Sequence, residues 1–142
     1  EFRHVPLVHN VTKNMEANLR SLRYKALASM SQDCEAVATA HHADDNLVTR
    51  IMQIVRGNAN AMGIRPIHTN LFGMRVIRPL IDMEKDEIRA IALKSNLRWN
   101  DDSTNDDDEI VRNDFNRNIV PLIKKHYPRA ARKSVYPNHT VT

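Results

Sequence analysis

Between Ala36 and Arg56 the chain changes period once, and that change constrains the fold more than any other feature. AVATA, Ala36 to Ala40, is short, small and apolar, which predicts a buried strand. From Ala43 to Arg56 the apolar residues Leu47, Ile51, Ile54 and Val55 recur at helical spacing, predicting a helix with these four turned inward. A strand that feeds directly into a helix is the first half of a crossover unit, and crossover units belong to parallel sheets.

The flanking segments extend the alternation. HVPLVHNV, His4 to Val11, predicts an edge or connecting strand because of its proline. A helix is expected from Asn14 to Met30, with Leu19, Leu22, Ala26, Leu27 and Met30 as its apolar stripe and Asn14 as its N-cap. Gly57 to Gly63 reads as a loop, and LFGMRVI, Leu71 to Ile77, as a second strand. A third helix should begin at Asp82 or Met83 and end near Ser95, burying Ile88, Ile91, Ala92 and Leu80. Trp99 to Glu109 is an acidic, turn-rich loop. A last helix spans Ile110 to Tyr127, with Pro121 marking a kink or a new segment. Residues 129–142 lack periodicity and read as a tail or linker. The order predicts an α/β fold with a partial, Rossmann-like parallel sheet. So few strands suit the latter part of such a domain, and the chain's opening Glu1-Phe2, without methionine, fits a longer parent protein.

Net charge is +4, although Asp101, Asp102, Asp106, Asp107, Asp108 and Glu109 crowd into one loop, so the remainder is more basic than the total implies. This favours an anionic partner such as RNA or a nucleotide. The single cysteine, Cys34, excludes an internal disulfide and a cysteine zinc cage, and reads as a small buried hydrophobe. No apolar run is long enough for a membrane span, and no secretory leader is visible.

The chemistry-bearing stretch is TAHHADDNLVTR, Thr39 to Arg50. Ligands of open α/β sheets sit beyond the carboxyl ends of the strands, where His41, His42, Asp44 and Asp45 would fall. These side chains could place a base against a substrate or help to hold a metal-bound phosphate. Equally, Asp44 and Asp45 could simply complement a helix N-terminus. A second constellation joins Asp102-Ser103-Thr104-Asn105 to Arg112-Asn113. It reads as loop and cap, except that Arg112 at a helix start opposes the macrodipole and so invites an anionic partner. Arg20, Arg23 and Lys25 form a basic helix face. Arg56 and the pair Lys124, Lys125 end helices, as ordinary dipole partners do.

Taken in order, these pieces resemble the tRNA(Ile)-lysidine synthetases of the ATP-pyrophosphatase (PP-loop) superfamily. The resemblance runs from about Val8 to Pro128. It is carried by Asn14, Glu16-Ala17, Arg20 and Arg23-Tyr24, by ATAHHADD, Arg56-Gly57 and Arg78-Pro79-Leu80, and by Trp99 with DSTN, Arg112-Asn113 and Val120-Pro121-Leu122. It implies an ATP-pyrophosphatase-type fold, with residues 1–80 as a partial nucleotide-binding-type domain and 81–128 as a helical extension of the catalytic core. It implies ATP and Mg²⁺ as cofactors, isoleucine tRNA and free lysine as partners, and a bacterial cytoplasmic or organellar setting rather than secretion. The resemblance also implies the reaction: the cytosine of the wobble cytidine would be adenylated and lysine would displace AMP. Asp45, Asp44, His41 and His42 would form the catalytic centre, Arg112 and Asn113 the nucleotide side, and Arg20, Arg23, Arg56 and Arg117 the tRNA contacts.

Departures accompany the match. The family's phosphate loop, S-G-G-x-D-S, occurs nowhere in the sequence, so this chain is expected to supply only part of an active site, the loop coming from another segment or chain. Val48 stands where the family carries a glutamate associated with lysine, and Asn116 where it more often has arginine. Arg56-Gly57-Asn58-Ala59 loses a second glycine. The alternatives are a degenerate relative that binds tRNA or a partner without catalysis, or another PP-loop tRNA-modifying enzyme. Cys34 is poorly placed for the sulfur relay that a thiolating enzyme needs.

Overall fold

A computed structural model describes residues 15–99 and 111–135. They fall into two compact units, one of residues 15–39 and 67–77, the other of residues 40–66, 78–99 and 111–135. The expected strand at His4 to Val11, the constellation at 102–105 and the end of the tail lie outside the described residues.

The first unit holds helix α1 (Met15–Met30) and strands β1 (Val37–Ala38), β2 (Ile67–Leu71) and β3 (Met74–Ile77). The strand order is β1-β3-β2. β1 runs parallel to β3, with Val37 opposite Val76, and β2 runs antiparallel to β3. The mixed α/β class is therefore as expected, but Leu71 to Ile77 is not one strand. Phe72 and Gly73 take left-handed φ values of 53° and 81° and close a two-residue hairpin turn. Sequence reading missed β2 because IHTNL has no apolar alternation. AVATA also needs correction. Only Val37 and Ala38 pair, and neither is buried, because β1 pairs along one edge only among the described residues. The core of this unit is Tyr24, Met74 and Val76, flanked by Leu27, Ala28, Val37 and Leu71. Cys34 is exposed rather than buried.

The second unit packs helices α2 (Ala43–Val55), α3 (Lys85–Lys94), α4 (Val111–Asp114), α5 (Val120–His126) and α6 (Ala130–Val135). Its core joins Ala43, Leu47, Val48 and Met52 of α2 to Ile81, Val120, Ala131 and Val135. The inward stripe of α2 differs from the one expected: Leu47 is buried and Ile51 packs against the core, but Ile54 and Val55 are exposed. The buried face instead takes in Asp44 and Asn46, which meet Lys124 of α5 and Ser134 of α6. No residue of α3 is buried, so Ile91 lies outside the core despite its spacing.

Residues 130–135, read as tail, form a docked helix. Asn46 Nδ2 donates to the Ser134 carbonyl at 3.0 Å and Arg50 Nη1 to the same oxygen at 2.6 Å. Asn46 Oδ1 accepts the Ile64 N–H at 2.7 Å, which draws the 57–63 loop onto α2. Gly63, at φ 72°, permits this approach: a Cβ there would collide with Asn46 Oδ1 and Arg50 Cγ. The last expected helix is interrupted. Phe115–Ile119 is π-helical, with the Val120 N–H bonded to the Phe115 carbonyl. Pro121, which has no N–H and conflicts with the carbonyl four residues back in a regular α-helix, follows directly on this π-helical stretch in the first turn of α5.

Candidate active site

The site is built on the first turn of α2, where His42 is the N-cap and Asp44 and Asp45 follow. Two acidic side chains in a helix's first turn complement the positive end of its dipole. The structure shows that they do more than this. Asp45 Oδ2 accepts the His42 backbone N–H at 3.1 Å and lies 3.4 Å from His42 Nε2. Arg112 Nη2, from α4, stands 3.7 Å from Asp45 Oδ1 and donates to Thr49 Oγ1 at 3.2 Å and the Asp45 carbonyl at 3.4 Å. All the bonds of Arg112 among the described residues run through Nη2, which leaves the rest of its guanidinium fork for another anion. The uncomfortable arginine of the sequence thus has a carboxylate partner. Asn113 follows it on α4, half-buried.

Asp44 is 5% exposed and turns the other way. Its Oδ2 accepts the Lys85 N–H at the start of α3 at 2.8 Å, and its Oδ1 accepts Lys124 Nζ of α5 at 3.1 Å. Lys124 also reaches Glu84 Oε2 at 3.0 Å and Asp86 Oδ2 at 3.4 Å. Burial works against the Lys124 charge, but the hydrogen bonds to Glu84 and Asp44 and their carboxylate charges outweigh it, holding the ammonium above its ordinary range. Lys124 was read from sequence as a helix-end cation without further role. Its spacing carried no signal of a partner eighty residues away.

His42 lies between the two aspartates, its Nδ1 buried without a hydrogen-bond partner and 3.8 Å from Asp44 Oδ2. His41 precedes it, half-buried. Among the candidates for tRNA contact, Arg20 and Arg23 are exposed on α1 in the first unit, and the Arg20 guanidinium lies 5.6 Å from the Tyr24 ring centre. Arg56 caps the far end of α2, about 16 Å along the helix from Asp45, and Arg117 is exposed in the π-helical stretch. Val48 is 0% exposed within the apolar core, so its position on α2 faces no open surface. Among the described residues no three His, Cys, Asp or Glu side chains are grouped so as to hold a metal ion.

An α/β chain that gathers a half-exposed carboxylate, an imidazole and a guanidinium at a helix N-terminus has the parts of a site for proton transfer beside an anion. The chain belongs to the PP-loop domain family, whose pattern matches residues 3–123. Three of its relatives are called tRNA(Ile)-lysidine synthase. The one from Wigglesworthia glossinidia brevipalpis is 35% identical over 85% of this chain and 30% of its own length. The one from Enterobacter sp. (strain 638) is 33% identical over 90% of this chain and 32% of its own length. That of Photorhabdus laumondii subsp. laumondii is 33% identical over 86% of this chain and 28% of its own length. The chain thus spans about a third of the length of the curated relatives it matches.

Proposed function

We propose that this chain contributes part of the active site of an enzyme that uses ATP to join lysine to the wobble cytidine of an isoleucine tRNA, forming lysidine through an adenylated cytidine. The observation that carries the reading is Asp45, held between Arg112 and His42 at the α2 N-terminus. The name tRNA(Ile)-lysidine synthase, carried by the relatives, supports a tRNA substrate and a lysidine product. When the lysine amine attacks carbon 2 of the adenylated cytosine, a C–N bond forms, the bond to AMP breaks, and the amine sheds a proton. Asp45 is the half-exposed carboxylate suited to accept it. Arg112 stands beside that carboxylate and offers its remaining donors to the nucleotide, with Asn113 next to it. His41, His42 and Asp44 shape the wall behind. Arg20, Arg23, Arg56 and Arg117 present charge to the tRNA backbone. The phosphate loop and the Mg²⁺ ligands would come from another segment or chain. A bacterial cytoplasm or organelle matrix suits these substrates.

A second reading, tRNA binding without catalysis, is favoured by Val48, whose burial in the core leaves no carboxylate for the lysine ammonium at that position. Incubating the full-length protein with isoleucine tRNA, ATP and labelled lysine separates the two. ATP-dependent label in the tRNA is expected. Binding without label would leave the second reading, and neither binding nor label would remove both.

A further inference from the structure

Three cations of the second unit stand against carboxylates: Arg112 against Asp45, Lys124 against Asp44 and Glu84, and Arg132 against Glu87. Arg78 does not. Its side chain is buried at 6% exposure, yet no carboxylate stands within ion-pair distance among the described residues. Of its five N–H donors, Nη1 bonds the Arg65 carbonyl at 2.6 Å, while Nε is buried with no partner. A guanidinium withdrawn from water with one neutral acceptor is costly, and native proteins keep such an arrangement where a ligand completes it.

The backbone around Arg78 is fixed on both sides. Its N–H donates to the Pro66 carbonyl at 2.8 Å, and its own carbonyl accepts the Ile81 N–H at 3.2 Å. A second turn leads to Met83, whose carbonyl accepts the N–H of Ala43, the first residue of α2, at 2.9 Å. The residue before Ala43 is His42, whose Nδ1 is the other buried, unpartnered nitrogen of this unit. Two orphaned nitrogens therefore lie on segments clamped together beside the Asp44–Asp45 turn.

We infer that Arg78 is a phosphate-binding residue, whose guanidinium gains its missing counter-charge from a phosphate group of the nucleotide or of the RNA. Phosphate suits it because a planar fork binds two oxygens at once and the charges cancel where water is scarce. The inference rests on the proposed reaction only for the two possible sources of that phosphate.

The test uses the full-length protein and its Arg78→Met and Arg78→Lys variants. Affinities for inorganic pyrophosphate and for isoleucine tRNA are measured by calorimetry, and melting temperatures by scanning fluorimetry. If the phosphate is the nucleotide's, Arg78→Met weakens pyrophosphate binding about tenfold or more. If it is the RNA's, tRNA affinity falls and its salt dependence shrinks by about one unit of slope. Either result supports the inference, with Arg78→Lys falling between. The melting temperature of unliganded Arg78→Met should hold or rise, because an unpaired buried charge has been removed. A fall in melting temperature with both affinities unchanged in both variants would overturn the inference and make Arg78 a strut for the Arg65 carbonyl. Lysine-labelling activity of the wild-type protein keeps the outcomes separate. Activity with unaltered variant binding sinks only the Arg78 inference, and Arg78-dependent binding without activity sinks only the reaction.

Discussion

Lys124 Nζ lies 3.1 Å from Asp44 Oδ1 and ties the last turn of α5 to the first turn of α2. Removing the ammonium strands a buried carboxylate. Lys124→Met should therefore lower stability by about 2–3 kcal/mol in urea titrations, less than a fully buried pair would lose because Lys124 is 18% exposed. Adding Asp44→Asn should return part of that loss, and full additivity of the two changes would show that the pair is not coupled.

The pH dependence of the two ion pairs runs in opposite directions. The raised Lys124 contributes fully below the ordinary lysine value of 10.5, and its contribution is lost only as pH climbs through the higher folded value. The stability gap between wild type and Lys124→Met should thus stay level through neutral pH and narrow only in strong alkali. Glu87 is the reverse case. The Glu84 N–H, chiefly, and Arg132 hold it below its ordinary value of 4.5, so its contribution is present above that value and fades as pH falls beneath it. The difference in melting temperature between wild type and Glu87→Gln should close in acid, and a gap that persisted there would contradict the assignment.

Asp45→Asn in the full-length protein should cut turnover by at least about tenfold, the usual loss for a positioned proton-transfer group. Near-normal turnover would reduce Asp45 to a cap for the His42 N–H.

Val48→Glu tests the core directly. Sequence resemblance alone suggests that a glutamate here would strengthen lysine binding. The structure predicts a loss of about 3 kcal/mol or more instead, since the carboxylate would enter the apolar cluster around Leu47, Met52 and Val120. A lower lysine KM with unchanged stability would show that this position opens onto the substrate.

Gly63→Ala should destabilise by about 1–3 kcal/mol, read as a shift of the urea midpoint, because it combines left-handed strain with a collision against Asn46. The shift should shrink in an Asn46→Ala background.

The sequence by itself determined the local devices. Helical periodicity located α1 and α2, the HADD run placed two acids in the first turn of α2, and Pro121 marked the start of α5. These depend on neighbours a few residues apart, so spacing alone reveals them. Only the tertiary structure decided which cation meets which acid and which apolar residues are inside. Asp44 meets Lys124, Asp45 meets Arg112 and Asn46 meets Ser134 across separations of 67 to 88 residues. Ile54 and Val55 stay exposed although they share the helical spacing of Leu47, whereas Arg78 is buried with no carboxylate partner among the described residues. Burial belongs to the packed neighbours and not to the residue, and one charge at a helix end looks like any other until the chain folds back upon it.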